Sequence, residues 1–378
     1  MIYDNLKKNK NNIVEVKNKV IIYFVNGPYV EVQGNISSDY TVEFIDNKSG
    51  KIYYSTTIKN NCWCKCSIEY FVEWKIKIYE NGKLWYEYLY DAKDKRVYIA
   101  IDSKALGDSL AWFAYVDEFR KKHQCKVITS TFMNHMFIDQ YPEIEFVEPG
   151  TNVDNIYAVY RLGIFYENKQ IDYSKHPIDP IKEPLMKVAT DILGINYKET
   201  KVKLPKLSKS KKKRVCIAIH STSQAKYWNN PTGWQDVVDY IKGKGYEVRL
   251  LSREEDGYMG NSNPKGVTNQ PNSTTKEVLK TIQESKLFIG ISSGLSWLAW
   301  GTDTPVVIIS GFTDKHLEPI EGITRIINKE VCNSCWHSHE FDPGDWNWCP
   351  IHKNTDRQFE CSKEITSEDV IKQIKNFL

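Results

Sequence analysis

The chain is expected to be an α/β protein with two doubly wound parallel-sheet domains, a small all-β domain before them and a four-cysteine metal finger after them. Three observations lead there. From Val97 onward strands alternate with helices, over residues 96–205 and again over 206–328; this is the order of parallel sheets with crossover helices. Residues 1–95 instead hold short β-runs separated by turn residues. Residues 329–365 carry Cys332, Cys335, Cys349 and Cys361 in a loop rich in aromatic side chains, with neither helical nor strand period.

In the first segment, Val20–Val25, Tyr29–Val32, Tyr40–Ile45, Lys51–Ile58, Ser67–Tyr79 and Lys83–Tyr90 are the expected strands. Asn81-Gly82 between two of them is a strong hairpin signal, and the regular spacing suggests a small barrel or sandwich. The first βα array then runs strand Val97–Ile101, helix Ser109–Lys121, strand Lys126–Ser130, helix Phe132–Gln140 and strand Ile144–Val147. Leu110, Phe113, Ala114 and Phe119 are available for one inner helix face. Ile156–Tyr166 reads as a strand pair or hairpin and Pro184–Leu193 as a helix. Lys198–Lys213, with Pro205 and eight lysines, reads as an interdomain linker.

The second array starts with strand Arg214–His220. Helix Thr232–Lys244 carries a capping-box pattern, Thr232-x-x-Gln235, and helix Thr274–Lys286 another, Thr274-x-x-Glu277. Strands Tyr246–Leu251, Leu287–Ile291 and Pro305–Ile309 and a short helix Ser293–Gly301 complete it. Residues 366–378 close the chain as an amphipathic helix.

Composition narrows the function classes. A charged fraction of 26% and an apolar fraction of 41% describe an ordinary globular protein. A net charge of +3 is too small to argue for a nucleic-acid groove. No apolar run reaches bilayer-spanning length. The N-terminus lacks the pattern of an export signal, so the nine cysteines read as reduced thiols and the expected location is the cytoplasm. Cys62, Cys64 and Cys66 alternate along a strand; buried small hydrophobes are favoured there over a second metal site.

The later cysteines follow C-x2-C, thirteen residues, Cys, eleven residues, Cys. Such thiols can close a tetrahedral site around one metal ion, zinc by spacing alone. Four thiolates leave no open position for substrate, so the metal is structural and the chemistry lies elsewhere.

Three turns could carry it, each after a strand where doubly wound sheets place ligands. Leu106-Gly107-Asp108-Ser109 puts a carboxylate at a helix start, as general base or as plain N-cap. His220 through Trp228 gathers Ser221, Thr222, Gln224 and Lys226, groups suited to a diphosphate or to an ordinary polar loop. Ser292, Ser293, Gly294, Ser296 and Trp297 open a helix that favours an anion, or that serine simply caps. No G-x-G-x-x-G follows a strand, which argues against a hydride carrier. Gly290-Ile291-Ser292-Ser293-Gly294 matches G-x-S-x-G in spacing, leaving a hydrolase with Ser292 as a distant alternative.

As a set, these turns resemble glycosyltransferases with two Rossmann-like domains (GT-B type), in particular the family 9 heptosyltransferases. Gly107-Asp108, Lys226 and Ser292–Trp297 stand where that family keeps its base, its phosphate-binding lysine and its D-[ST]-G-x-x-H turn. Ser292 replaces the usual Asp and Trp297 the usual His. The segments around Asn26–Glu31, Gly107–Trp112, Gln224–Trp228 and Ser293–Trp300, with the cysteine finger, are more narrowly similar to the bacterial autotransporter heptosyltransferases over nearly the whole chain.

That resemblance implies transfer of heptose from ADP-heptose to serine hydroxyls of an autotransporter adhesin, a large homo-oligomer, and iron rather than zinc on Cys332, Cys335, Cys349 and Cys361. The expected enzyme is inverting. Asp108 is its base. Ser221, Thr222, Gln224, Lys226, Ser292, Ser293, Gly294, Ser296 and Trp297 bind the donor. With no Asp-x-Asp motif suitably placed, no catalytic metal is expected. The alternatives are a relative using another nucleotide sugar or a glycan or lipid-linked acceptor, and a metal-stapled peptide-binding module.

Overall fold

A computed structural model describes residues 18–378; the expectation about an export signal lies outside them. The N-terminal region is all-β. Strands Lys19–Tyr23, Tyr29–Gln33 and Cys62–Lys65 form one antiparallel sheet. Ile52–Lys59, Asp39–Asp46, Trp74–Glu80 and Lys83–Leu89, in that order, form another. Alternate residues point inward, so Val30, Val32 and Cys64 share a core with Val42, Phe44, Ile76 and Ile78. The Asn81-Gly82 turn has positive φ at both residues, as a tight hairpin requires.

The expected strand Ser67–Tyr79 begins only at Trp74. Before that, the backbone hydrogen-bonds across to the next region: Glu69 N–H to Ser174 O at 2.8 Å and Phe71 N–H to Ile192 O at 2.8 Å. Of the three alternating cysteines, Cys64 and Cys66 are buried and Cys62 is exposed, so two of them fill core positions.

The first parallel sheet has the order Glu145–Phe146, Lys126–Ser130, Arg96–Ile101, Ala158–Leu162. The segment expected as a strand pair therefore gives one strand to this sheet; the short hairpin Tyr166–Glu167 with Gln170–Ile171 follows it. Phe132–Gln140 is reduced to one turn, Asn134–Phe137, and a 3-10 turn. The Thr131 hydroxyl accepts from Met133 N–H and the Asn134 side chain from Thr131 N–H, a local turn that competes with helix.

Helix Leu106–His123 departs furthest from the one-faced expectation. Trp112, Tyr115 and Val116 are buried along with Leu110, Phe113, Ala114 and Phe119. The stretch Leu110–Val116 of this helix is covered by its own sheet, helix Leu185–Leu193 and helix Gly294–Trp300, and a stretch covered on all sides is apolar on all sides; only the last turn, at Lys121 and Lys122, is exposed. Its polar tips are satisfied: Trp112 Nε1–H donates to Leu185 O at 2.7 Å, and Tyr115 O–H to Lys198 O at 2.7 Å.

The second sheet is fully parallel, in the order Thr268–Asn269, Glu247–Leu250, Arg214–Ala218, Leu287–Ile291, Val306–Ile309, Ile323–Ile326. Strand order reverses beside Arg214–Ala218, and the crevice there is where doubly wound sheets bind ligands. The Thr274/Glu277 capping box forms. The Thr232 box does not, because Asn230 Oδ1 accepts from Thr232 N–H and Gly233 N–H instead. An unforeseen box, Thr366 with Asp369, starts the terminal helix Ser367–Ile374.

The lysine-rich segment 198–213 is a strap rather than a free linker. Val202 and Leu204 are buried. Lys211 Nζ reaches Ser285 O and Thr304 Oγ1, both at 2.9 Å, and Gln283 Oε1 accepts from Leu207 N–H. Lys201, Lys211 and Lys212 hydrogen-bond to the second domain, which the charge pattern alone could not show. Among the described residues, no helix is long and apolar enough to cross a membrane.

Candidate active site

The two parallel sheets meet at glycines. A Cβ on Gly294 would sit 3.0 Å from the backbone nitrogen of Gly107, and one on Gly107 would sit 3.1 Å from the Trp297 ring. This close approach brings the starts of helices Leu106–His123 and Gly294–Trp300 together over one cavity of about 500 Å³. Asp108, Ser221, Thr222, Lys226, Ser292, Ser293, Gly294 and Trp297 all line it. Gly294→Ala is expected to force the two backbones apart and lower turnover at least tenfold, with a modest loss of Tm, because the Cβ contact is with main chain. Steady-state kinetics beside thermal melting checks this.

Asp108 is not a cap. The N-cap position is Ala105, and the Asp108 carboxylate stands in the first helical turn. Burial pushes its pKa above the ordinary carboxylate value; a hydrogen bond from Ser103 and the charge of Lys226 pull the other way. Burial lowers the pKa of the Lys226 ammonium, opposed by the charges of Asp108 and Glu318. The two groups come from separate sheets and sense each other across the same space.

The serine turn divides by role. Ser293 holds the N-cap position of its helix without making the capping bond, and its buried hydroxyl has no partner among the described residues. It therefore does not act as a simple cap. Ser292 Oγ is bonded to Ser310 at 3.3 Å and Thr313 at 2.5 Å. No imidazole is among its partners, which removes the support for a Ser292 hydrolase.

Two expected donor contacts are not brought to the cavity. Ser296 Oγ donates at 2.7 Å to Ile291 O, the last residue of the preceding strand. The Gln224 side chain is held by Asn229 and Asn261. Its backbone N–H donates to Trp346 O at 3.0 Å, so that turn faces the cysteine finger.

The cavity also includes residues that motif reading missed. His220 Nδ1 pairs with Ser252 Oγ at 2.6 Å, leaving a buried Nε2 unpartnered among the described residues. Arg253, Gln270, Phe312, Glu318 and Trp336 complete other parts of the wall. Arg253 and Phe312 follow strands of the second sheet at the same edge as Lys226, so the carboxyl-end rule applied to every strand would have found them.

Cys332, Cys335 and Cys349 share a small core with Ala225, Phe312, Trp348 and Phe359, and Cys361 lies near enough to sense their charges. Burial pushes the Cys361 thiol up to about 12, and the charges of Cys335, Cys349 and Cys332 add to this; Cys335 is pushed up to about 12 in the same way. A second donor set overlaps the first: Cys332, His352 and Glu360 hold their ligand atoms within 4.8 Å of one another.

The sequence model of Glycosyltransferase family 9 (heptosyltransferase) matches residues 167–345. Autotransporter heptosyltransferase Aah of Escherichia coli is 35% identical over 367 residues, 91% of this chain and 92% of that protein. The chain belongs to the autotransporter heptosyltransferases. Another relative, at 31% identity over 82% of this chain and 75% of its own length, is the inactive autotransporter heptosyltransferase BimC of Burkholderia thailandensis. Among solved structures, the iron-containing dodecameric glycosyltransferase TibC of enterotoxigenic Escherichia coli superposes with a TM-score of 0.85 at 32% identity, covering 98% of both chains. TibC has also been solved in complex with ADP-D-β-D-heptose, with the same overlap.

Proposed function

We propose that this autotransporter heptosyltransferase transfers heptose from ADP-heptose to serine hydroxyls of an autotransporter adhesin, in the cytoplasm, with inversion at the anomeric carbon. One observation carries the reading: Asp108 of the first sheet and Lys226 of the second line a single cavity large enough for a nucleotide sugar. The Asp108 carboxylate takes the proton from the acceptor serine as its oxygen bonds to the anomeric carbon. The bond from that carbon to the β-phosphate oxygen breaks, and ADP leaves with the electron pair. Lys226, Ser221, Thr222 and the amides around Ser293 and Gly294 stabilise the charge that develops on the leaving group.

Cys332, Cys335, Cys349 and Cys361 suit a structural metal ion, and the iron of TibC favours iron at this place. The overlapping Cys332–His352–Glu360 set is less suited. Both Glu360 carboxylate oxygens already accept from Arg357 at 2.7 Å, and a metal would have to displace that pairing. The dodecamer of TibC supports a large homo-oligomer here as well.

The direct test is intact-mass analysis of a candidate adhesin after incubation with the enzyme and ADP-heptose. The expected result is a shift by whole numbers of heptose units. An unchanged adhesin in the presence of ADP-heptose, with a shift given by another nucleotide sugar, would reassign the donor. Tight adhesin binding without turnover of any donor would leave a peptide-binding module.

A further inference from the structure

We infer that Phe341, carried on the cysteine finger and outside the cavity wall, is a positioning residue for Lys226, which makes the finger part of the diphosphate-binding apparatus. The inference rests on the proposed role of Lys226. The Lys226 Nζ lies 5.3 Å from the Phe341 ring centroid and 5.5 Å from that of Phe312. Both distances are within reach of the attraction between a cation and an aromatic face. The two rings meet edge to face at 5.3 Å, and Phe341 is further packed by Trp348 at 5.3 Å and Trp336 at 5.8 Å.

The attachment extends to the backbone. Ala225, the neighbour of Lys226, is buried in the finger's own core, and the adjoining Gln224 N–H donates to Trp346 O. Among the described residues, Lys226 Nζ makes no hydrogen bond and no ion pair, so its three donors remain available to an anion. Desolvation of this amine favours the neutral form, which would grip a diphosphate poorly; the aromatic faces favour the ammonium. The finger is therefore more than a remote staple: a ring that substrate does not touch holds the charge that substrate needs.

The test compares Phe341→Leu, Phe341→Met and Phe341→Tyr, each alone and combined with Lys226→Met. ADP affinity is measured by calorimetry, kcat and KM for ADP-heptose by kinetics, and folding by Tm. The leucine and methionine variants keep apolar bulk and lose the aromatic face. They are expected to weaken ADP binding about 3- to 10-fold, with KM rising more than kcat falls. Tyrosine is expected to restore binding to within about twofold. On the Lys226→Met background, loss of the ring is expected to add nothing.

Equal weakening in both backgrounds, or none in either, overturns the inference while leaving the role of Lys226 intact. ADP binding by Lys226→Met at wild-type strength would overturn the role of Lys226 and the inference with it. If leucine unsettles the fold, the methionine variant is judged by the same criteria.

Discussion

Asp108→Asn is expected to lower the rate of heptose transfer by roughly 10²- to 10⁴-fold, the range associated with removing a positioned proton acceptor. ADP-heptose is expected to bind almost as before, since asparagine keeps the shape of the side chain. Single-turnover kinetics beside calorimetric titration of the donor separates the two. If donor binding collapses with the rate, Asp108 belongs to the donor site and the base lies elsewhere.

The fold should not suffer. Burial raises the pKa of Asp108 above its unfolded value, so the ionised form is disfavoured by folding. The protonated form is the one favoured in the native state. Any stability it contributes is full below the unfolded pKa and disappears as pH rises through the folded pKa. At neutral pH the carboxylate is thus a cost, and the asparagine variant is expected to melt no lower than the parent. The same shift moves the acid limb of kcat/KM above the ordinary carboxylate range near pH ~4, because a general base must be deprotonated to act.

Cys361→Ser is expected to remove most of the bound metal and, with it, most of the affinity for ADP. A neutral hydroxyl is a poor substitute for a thiolate, and small metal-stapled loops derive much of their folding energy from the metal. Phe341, Trp346 and Trp348 all belong to the segment held by these cysteines, so release of the finger would loosen the Lys226 turn at several points together. The effect on donor binding should exceed that of Phe341→Leu. Elemental analysis and ADP calorimetry on the same preparation check both parts. Full metal occupancy in Cys361→Ser would shift the ligand assignment to Cys332, His352 and Glu360. Because burial holds Cys335 and Cys361 protonated at neutral pH, metal uptake must release protons, and metal affinity is expected to fall as pH falls.

Some of this was legible from residue order. That Asp108, Lys226 and Ser293 line one cavity could be anticipated because each follows a strand of a βα array, and such loops gather at one sheet edge whatever the details of packing. Ser296 and Gln224 came from the same turns but failed. Whether a hydroxyl faces a ligand or a nearby main-chain carbonyl depends on its rotamer, which a linear pattern does not carry. Thr232 failed for a related reason: Asn230 accepts the Thr232 N–H that Gln235 would have taken, and the Thr232 hydroxyl donates to Asp236.

Local periodicity and turn chemistry thus established that two parallel sheets follow a β-rich segment, that a cysteine-rich loop follows them, and which turns could hold an anion. They could do so because those properties depend on neighbours within a few residues. The meeting of Gly107 with Gly294, the burial of Leu110–Val116 on every side, the strapping of the lysine-rich segment and the aromatic hold of the finger on Lys226 depend on groups up to nearly two hundred residues apart. Each is a question of which surfaces exclude water together, and only the folded chain answers it.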